Sequence, residues 1–540
     1  MVKKINIILV LLLLFISISA VSAADDGNIT ELASNEAIQD TLHVSVGEDV
    51  SYSSDSLDDV VAIDESDLEL SSSSFTINDG NYNQYFSSAT GQLSSSDVKS
   101  GDTIILDGTI QKKNFIFNIP VNIIGSSSNN MKNSMIILRN GASNSTVSNL
   151  HIDNAMDGKS GVVLDSVSYC TIKDCTIKVT RASSYPISVI NGANYNNVTG
   201  NNLKAYGLTY GHGTRSTPGL IVSGSHYNYI ANNYVEVDDA NGIYLSSYSG
   251  KSTDGLVVNN GGNSNFNIIY NNTVKCNDEI LPTSWSYNIQ IMGNNNTIKS
   301  NTVFRGYRGI STSGAGNIID GNIISVAGSD YTNPGVETGG EYGIVGAYFS
   351  TITNNIITGK IISTGGGISA LDKSVVENNW VNVTKVGKGI NAEGSNIIIR
   401  NNTVFTVSGS GIYQQGKYFG LIVENNNITS ESGVGILIDK ENSKKMPSNV
   451  TVIGNTIKTG NKVAIDASNV VVSSSNIDPK SNNVYGKIIM SPEGVIDTSK
   501  PVYIFKGNTS FITPDNIREY INANGDLTYN VHDGDTLVFE

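Results

Sequence analysis

Cysteine is nearly absent from this 540-residue chain: Cys170, Cys175 and Cys276 are the three it has. Three scattered cysteines cannot build a disulfide scaffold or a zinc site, and they read as buried small hydrophobes. Proline is scarce too, 10 residues against 54 glycines, so the glycine content does not mean collagen. Basic residues are in deficit, with a formal net charge of −15. No basic patch points to nucleic acid. The acidity is confined to one segment. Residues 24–98 hold 16 Asp or Glu and no Lys or Arg, whereas residues 99–540 hold 32 basic against 33 acidic residues. No metal-ligand cluster or cofactor motif is visible, so neither a metal nor a cofactor is expected.

Long apolar runs are missing after the N-terminus. Lys3 and Lys4 precede an apolar stretch from Ile7 to Ile16, followed by the small-residue triplet Val21-Ser22-Ala23. This pattern reads as a signal peptide over residues 1–23. It predicts a secreted or cell-surface protein with no membrane span once the signal is removed. Sequons such as those at Asn197, Asn271 and Asn382 are compatible with export. Residues 24–73, acidic, serine-rich and aperiodic, read as a disordered leader.

What the chain does have is a repeat. A five- to six-residue signature recurs thirteen times, as in Ile298-Lys-Ser-Asn301-Thr-Val303, Ile399-Arg-Asn-Asn402-Thr-Val404 and Val452-Ile-Gly-Asn455-Thr-Ile457. Its centres are Leu150, Cys175, Asn201, Asn233, Asn272, Asn301, Asn322, Asn355, Asn379, Asn402, Asn426, Asn455 and Ser475, spaced 20 to 39 residues apart. Val or Ile stands three residues before each centre, and Ile, Val or Leu203 two residues after. The residue just before the centre is only ever Asn, Asp, Gly or Ser.

Side chains on one strand alternate with period two, so two inward positions five apart require a bend between them. Asn, Asp and Gly tolerate the positive φ of such a bend. The central Asn then points inward, where its amide is satisfied by the Asn of the coils above and below. Gly242-Ile243, Gly309-Ile310, Gly367-Ile368, Gly389-Ile390, Gly411-Ile412 and Gly435-Ile436 add a second corner, with Gly expected to make the turn. The expected fold is all-β: a right-handed parallel β-helix, a single-stranded solenoid of about 13 coils, with an internal asparagine ladder. Leucine-rich repeats and propeller blades fit neither the motif nor the period.

The ends frame this body. Residues 74–126 read as an N-terminal cap and first coil, with Phe75, Tyr85, Phe86 and Leu93 covering the open edge. Residues 127–490 form the parallel β-helix. Residues 491–540 resemble the start of a second β-helix module. There, Ser510-Phe511, Tyr520, Gly525-Asp-Leu527 and Gly534-Asp-Thr-Leu-Val-Phe539 repeat Ser74-Phe75, Tyr85, Gly91-Gln-Leu93 and Gly101-Asp-Thr-Ile-Ile-Leu106. Either a longer multi-module protein continues beyond, or the copy folds back as a cap.

The Asn-centred coils, the Gly-Asp-Thr-hydrophobic cap and its downstream copy resemble the adhesin-like β-helix proteins of methanogenic archaea over residues 74–540. That resemblance implies an exported surface protein that touches extracellular glycans or the surface of other cells, on a fold shared with pectate lyases and polygalacturonases. It implies no residue-level site.

Two sets of residues are therefore candidates on their own chemistry. For binding, Tyr210, Tyr244, Tyr248, Trp285 and Tyr287 lie in the long coils between Asn201 and Asn301, where rings stack on sugars and long loops carry function. For catalysis, the set is Asp238, Asp239 and His212. Glycoside hydrolysis requires a positioned carboxylate pair, and Gly211-His212-Gly213 is similar to a polygalacturonase element. Here, however, the His precedes the Asp pair, the reverse of that family's order. Arg181, Asp238, Asp278, Glu279, Arg305 and Arg308 follow the bend in successive coils and are read mainly as solvated turn residues. The balance favours a non-catalytic glycan-binding surface protein. The alternatives are a polysaccharide lyase or glycoside hydrolase, and a ligand-free envelope stalk.

Overall fold

The computed structural model describes residues 72–490, apart from residues 157, 182–183, 207–217, 239, 248–249, 252–256, 259–261, 278–285, 327–339, 441–444 and 479. It also describes the backbone of residues 502–506, 510–511 and 535–539. The expected signal peptide, residues 1–23, and nearly all of the expected leader, residues 24–73, lie outside the described residues.

The fold is a right-handed parallel β-helix of about 14 turns. Each turn lays down three short strands, and each strand pairs in parallel with its counterpart one turn on. Sheet 1 contains sixteen strands, from Ser74–Ile77 to Asn476–Ile477. Sheet 2 includes Thr176–Val179, Tyr234–Asp238 and Thr403–Thr406. Sheet 3 includes Ile243–Ser246, Tyr287–Ile291, Arg308–Thr312, Gly340–Gly346, Lys388–Ala392 and Ile412–Gln415. The strand Thr456–Ala467 starts against Asn427–Ser430 in sheet 2 and ends against Ile436–Leu437 in sheet 3, so the last two faces merge there.

The core is a set of aliphatic columns. Ile298, Ile319, Ile352, Val376, Ile399, Val423 and Val452 stack in register inside sheet 1, all fully buried. β-Branched side chains suit this pleated, half-buried surface.

Between sheets 1 and 2 one residue makes the bend. Asn149, Asp174, Gly200, Asn232, Asn271, Ser300, Gly321, Asn354, Asn378, Asn401, Asn425 and Gly454 all hold φ between 50° and 68°. The next residue turns inward. From Asn201 to Asn482 the amides form an unbroken column, each Nδ2 donating to the Oδ1 of the next coil at 2.9 or 3.0 Å. The column ends on Asn482, not on Ser475 as the sequence register placed it. A longer excursion after Ile477 shifts the register, and the Ser475 hydroxyl instead accepts from the Val450 N–H at 3.1 Å.

A second column, not anticipated from the sequence, lies at the entry to sheet 1. Asn196, Asn228, Asn267, Asn296 and Asn317 bond in the same manner, with amide-to-amide distances of 3.0 to 3.2 Å. It too follows left-handed residues, Tyr195, Tyr227, Phe266, Asn295 and Gly316. Cys170 and Cys175 stand at the heads of the two columns, where their N–H groups donate to Asn196 and Asn201 Oδ1 at 2.8 and 3.0 Å. All three cysteines are free and buried. Burial pushes the thiols of Cys170 and Cys175 up to about 11 and about 12, which keeps them unreactive.

The Gly-Ile corners have a different cause from the one expected. None of these glycines adopts positive φ. Each lies where the wall is too tight for a side chain: a Cβ on Gly389 would sit 2.3 Å from Gly411 O and 2.3 Å from Val404 Cγ1.

At the N-terminal end a ring cluster packs on the first coil. Phe86 contacts Tyr82, Phe115 and Phe117 with centroids 5.0 to 5.3 Å apart, and the Tyr82 hydroxyl donates to Asn114 O at 2.5 Å. Phe75 packs edge-on against Tyr85 at 5.8 Å. Near the C-terminus, Ser510–Phe511 and Asp535–Phe539 flank Val502–Lys506 in an antiparallel sheet. This differs from the parallel pairing of Ser74–Ile77 with Thr103–Leu106.

Candidate functional site

The outer face of sheet 3 collects the chemistry. Two outward rows run along it, and both are fixed by the Gly-Ile corner. The residue before the Gly, or before Asn288 in the coil of Tyr287, enters the first row: Tyr287, Arg308, Tyr342, Gly366 and Lys388 stand in register on successive coils. The residue after the Ile enters the second row: Tyr244, Gln290, Ser311, Val345, Ser369, Asn391 and Tyr413. In register, neighbours lie about 4.8 Å apart.

In the first row, Arg308 is wedged between two rings. Its Cζ lies 5.1 Å from the centroid of Tyr287 and 5.7 Å from that of Tyr342. Its Nε donates to Glu341 at 2.5 Å and its Nη1 to the Tyr287 hydroxyl at 2.6 Å. With both partners mostly buried, this pair is held far more firmly than a surface ion pair. The Lys388 ammonium lies 4.5 Å above the ring of Tyr413.

Glu393, just past the strand Lys388–Ala392, completes the cluster. Burial raises its proton affinity above that of an ordinary glutamate, and the charge of Glu341 adds to this. Lys388 and hydrogen bonds from Ser369 and Tyr342 pull the other way. Glu341 lies at the start of the strand Gly340–Gly346, and Glu393 follows the far end of the strand Lys388–Ala392 two coils on. The glycine at position 366 leaves the row open between Tyr342 and Lys388. Beneath them, the Asn391 amide donates to Glu393, while its Oδ1 is buried with no hydrogen-bond partner.

Of the residues singled out in the sequence, Tyr244 and Tyr287 lie on this face. The Tyr244 hydroxyl donates to Met292 Sδ at 3.1 Å, and Tyr287 is largely covered. Tyr210, Tyr248, Trp285, Asp239 and His212 lie outside the described residues. Asp238 ends a strand of sheet 2, a different face, beside a separate cluster. There, Glu236 accepts from Lys275 at 2.8 Å and from Tyr234 at 3.3 Å, with Lys204 at 3.7 Å. That carboxylate is well satisfied and reads as structural. Arg308 belongs to sheet 3, whereas Arg305 is a left-handed residue between sheets 2 and 3, so the basic turn residues do not share one edge. Glu341, Tyr342, Lys388, Asn391, Glu393 and Tyr413 were not singled out from the sequence.

Two further surface features stand apart from sheet 3. Tyr169, Tyr195, Tyr227 and Phe266 stack along the corner before sheet 1, with centroids 4.9 to 5.4 Å apart and planes within 9° of parallel. They are exposed, but their faces cover one another, so mainly edges meet solvent. An open groove of about 490 Å³ between sheets 1 and 2 is lined by Ser126, Asn129, His151 and Asp174 and carries no Phe, Tyr or Trp. Among the described residues no His, Cys, Asp and Glu group could hold a metal ion.

No family model matches the chain, and no curated protein matches it. Solved structures do. The catalytic domain of a GH87 alpha-1,3-glucanase in complex with tetrasaccharides is 13% identical, with 74% of this chain and 67% of that chain covered and a TM-score of 0.36. The tailspike protein of E. coli bacteriophage HK620, in complex with a pentasaccharide, is 11% identical over 72% and 70%, at 0.37. The A-module of the Azotobacter vinelandii mannuronan C-5 epimerase AlgE4 is 10% identical over 72% and 91%, at 0.33. At such scores these likenesses bear on no individual residue of this chain.

Proposed function

We propose that this is an exported cell-surface protein that holds an extended glycan, free or on a neighbouring cell, along the outer face of sheet 3 without transforming it. The observation that carries this reading is the Tyr287–Arg308–Tyr342 stack with Glu341, Lys388, Glu393 and Tyr413 beside it. Arg308 and Lys388 lie against the ring faces, so the cluster offers ring edges together with a few fixed polar groups that orient sugar hydroxyls. The rows lie on a stiff sheet and repeat at a constant rise, which suits a polymer better than a small molecule. The signal-like residues 1–23 support export.

One observation favours a second reading, a glycoside hydrolase or lyase. Glu393, held mainly by burial, keeps its proton more tightly than an ordinary glutamate, and a carboxyl so raised is suited to the acid role in glycoside hydrolysis. A glycan array together with a reducing-end assay on pectin, alginate and host glycans, with and without calcium, separates these readings. Binding without turnover is expected. Turnover abolished by Glu393→Gln would install the second reading, and turnover abolished by Asp239→Ala but not by Glu393→Gln would move the chemistry off this face. An array that stays blank would favour a ligand-free stalk.

A further inference from the structure

Resting on the glycan reading above, we infer that the part of sheet 3 formed by Tyr342, Ser369, Asn391 and Glu393 selects a neutral sugar, recognised through hydroxyl donors, over a uronate or other acidic sugar.

Asn391 gives the first reason. The residue is 1% exposed, its Nδ2 is bound to Glu393, and its Oδ1 has no partner. A buried acceptor without a donor is costly. It stands on the outward row of sheet 3, in register between Ser369 and Tyr413, and is reached from that face once the side chains covering it move aside. What it lacks is a donor, and a sugar hydroxyl is one. A carboxylate is not.

The charges give the second. The two cations of the cluster are already engaged: Arg308 by Glu341 and Tyr287, and Lys388 over the ring of Tyr413. Recognition of an acidic sugar needs a guanidinium or ammonium turned toward it. Instead, with Glu341 taken by Arg308, the acceptors Glu393 and Asn391 remain at one place, and beside burial the charges of Glu393 and Asp372 raise the proton affinity of Tyr418. An added carboxylate would meet like charge in a partly dehydrated setting, where repulsion is strong. Hydroxyls meet acceptors.

The test is an array of neutral polymers (glucans, mannans, xylans) and polyuronates (polygalacturonate, alginate) probed with the full chain, Asn391→Ala and Ser369→Ala. Titration calorimetry on each hit gives Kd, and thermal unfolding monitors the fold of each variant. Expected are binding to one or more neutral polymers, Kd weakened about tenfold by Asn391→Ala, and a melting temperature for that variant within a few degrees of the parent. Polyuronates bound as tightly as neutral polymers would overturn the inference while leaving the glycan reading standing. Neutral polymers bound equally by parent and both variants would overturn the placement. No binding to any glycan would overturn the glycan reading and the inference together.

Discussion

Asn301 and Asn322 share one oxygen. Asn322 Oδ1 accepts from the backbone N–H of Asn301 at 2.9 Å and from its Nδ2 at 3.0 Å. Asn301 Oδ1 in turn receives the same two donors from Asn272 at 2.9 and 3.0 Å. Every link therefore closes a backbone amide and a side-chain amide on one acceptor, and the left-handed residue before it is what brings the two into line.

Removing one link leaves the neighbour before it without an acceptor, while Asn322 Oδ1 keeps the backbone N–H of residue 301. Asn301→Ala strips the Asn272 N–H and Nδ2 of their acceptor and deprives Ile269 O, which Asn301 Nδ2 reaches at 2.9 Å, of its side-chain donor. The expected loss is about 3 kcal/mol, read by urea unfolding. Because each coil contacts mainly its neighbours, the unfolding should also lose cooperativity around that coil. A loss under about 0.5 kcal/mol would show the column to be incidental.

Gly389→Ala tests the crowding argument. A Cβ there would fall 2.3 Å from two atoms of the neighbouring wall, whereas one on Gly192, at φ +78°, would meet nothing within 4 Å. Overpacking at Gly389 is expected to cost about 3 kcal/mol, against about 1 kcal/mol of backbone strain for Gly192→Ala. Thermal unfolding of the two variants gives the order directly.

Tyr195 sets stacking against strain. It holds φ at 59° and stacks between Tyr169 and Tyr227 at 5.4 and 4.9 Å. Tyr195→Ala loses the stack and keeps the strained backbone. Tyr195→Gly loses the stack and relieves the strain. The alanine variant should therefore be the less stable of the two by about 1 kcal/mol, an ordering that chemical denaturation can reverse or uphold.

Glu393 predicts a pH dependence of defined sign. Burial, helped by Glu341, raises its folded-state pKa above the ordinary 4.5, so in the window between that value and the raised one the folded protein binds more protons than the unfolded chain. This contribution to stability is fully present below the ordinary value and is lost as pH rises through the folded value. Glu393→Gln should flatten the profile in that window. Asp320 acts in the opposite sense. Burial raises its pKa, but hydrogen bonds from Asn354, Lys299 and Thr353 together outweigh this and lower it, so its contribution is lost as pH falls.

Much of the fold is legible in the sequence because a solenoid repeats its instructions. The residue before each centre, restricted to Asn, Asp, Gly or Ser, marks the left-handed bend, and Asn201 to Asn455 mark the inward amides. The second column was readable too: Asn196, Asn228, Asn267, Asn296 and Asn317 each stand five residues before a first-column Asn. Its signal is weaker because Cys170 and then serines such as Ser350 and Ser374 fill the same place in other coils, and the aromatic before it does not resemble a turn residue. Ser475 was misplaced because Ile477 opens a longer bend than its predecessors. The outer face of sheet 3 is harder to read. Its positions follow from the Gly-Ile corner, but the residues there (Arg308, Tyr342, Gly366, Lys388) share no chemistry. They form a cluster only because coils of unequal length return to one register.

The location of a ligand on sheet 3 is tested most directly by calorimetric titration of a glycan hit against the parent chain, Tyr413→Ala on that face, and Trp380→Ala, an exposed ring on sheet 2. Tyr413→Ala is expected to weaken Kd by tenfold or more and Trp380→Ala to leave it within a factor of two. The reverse order, or equal losses from both, would contradict a binding face on sheet 3.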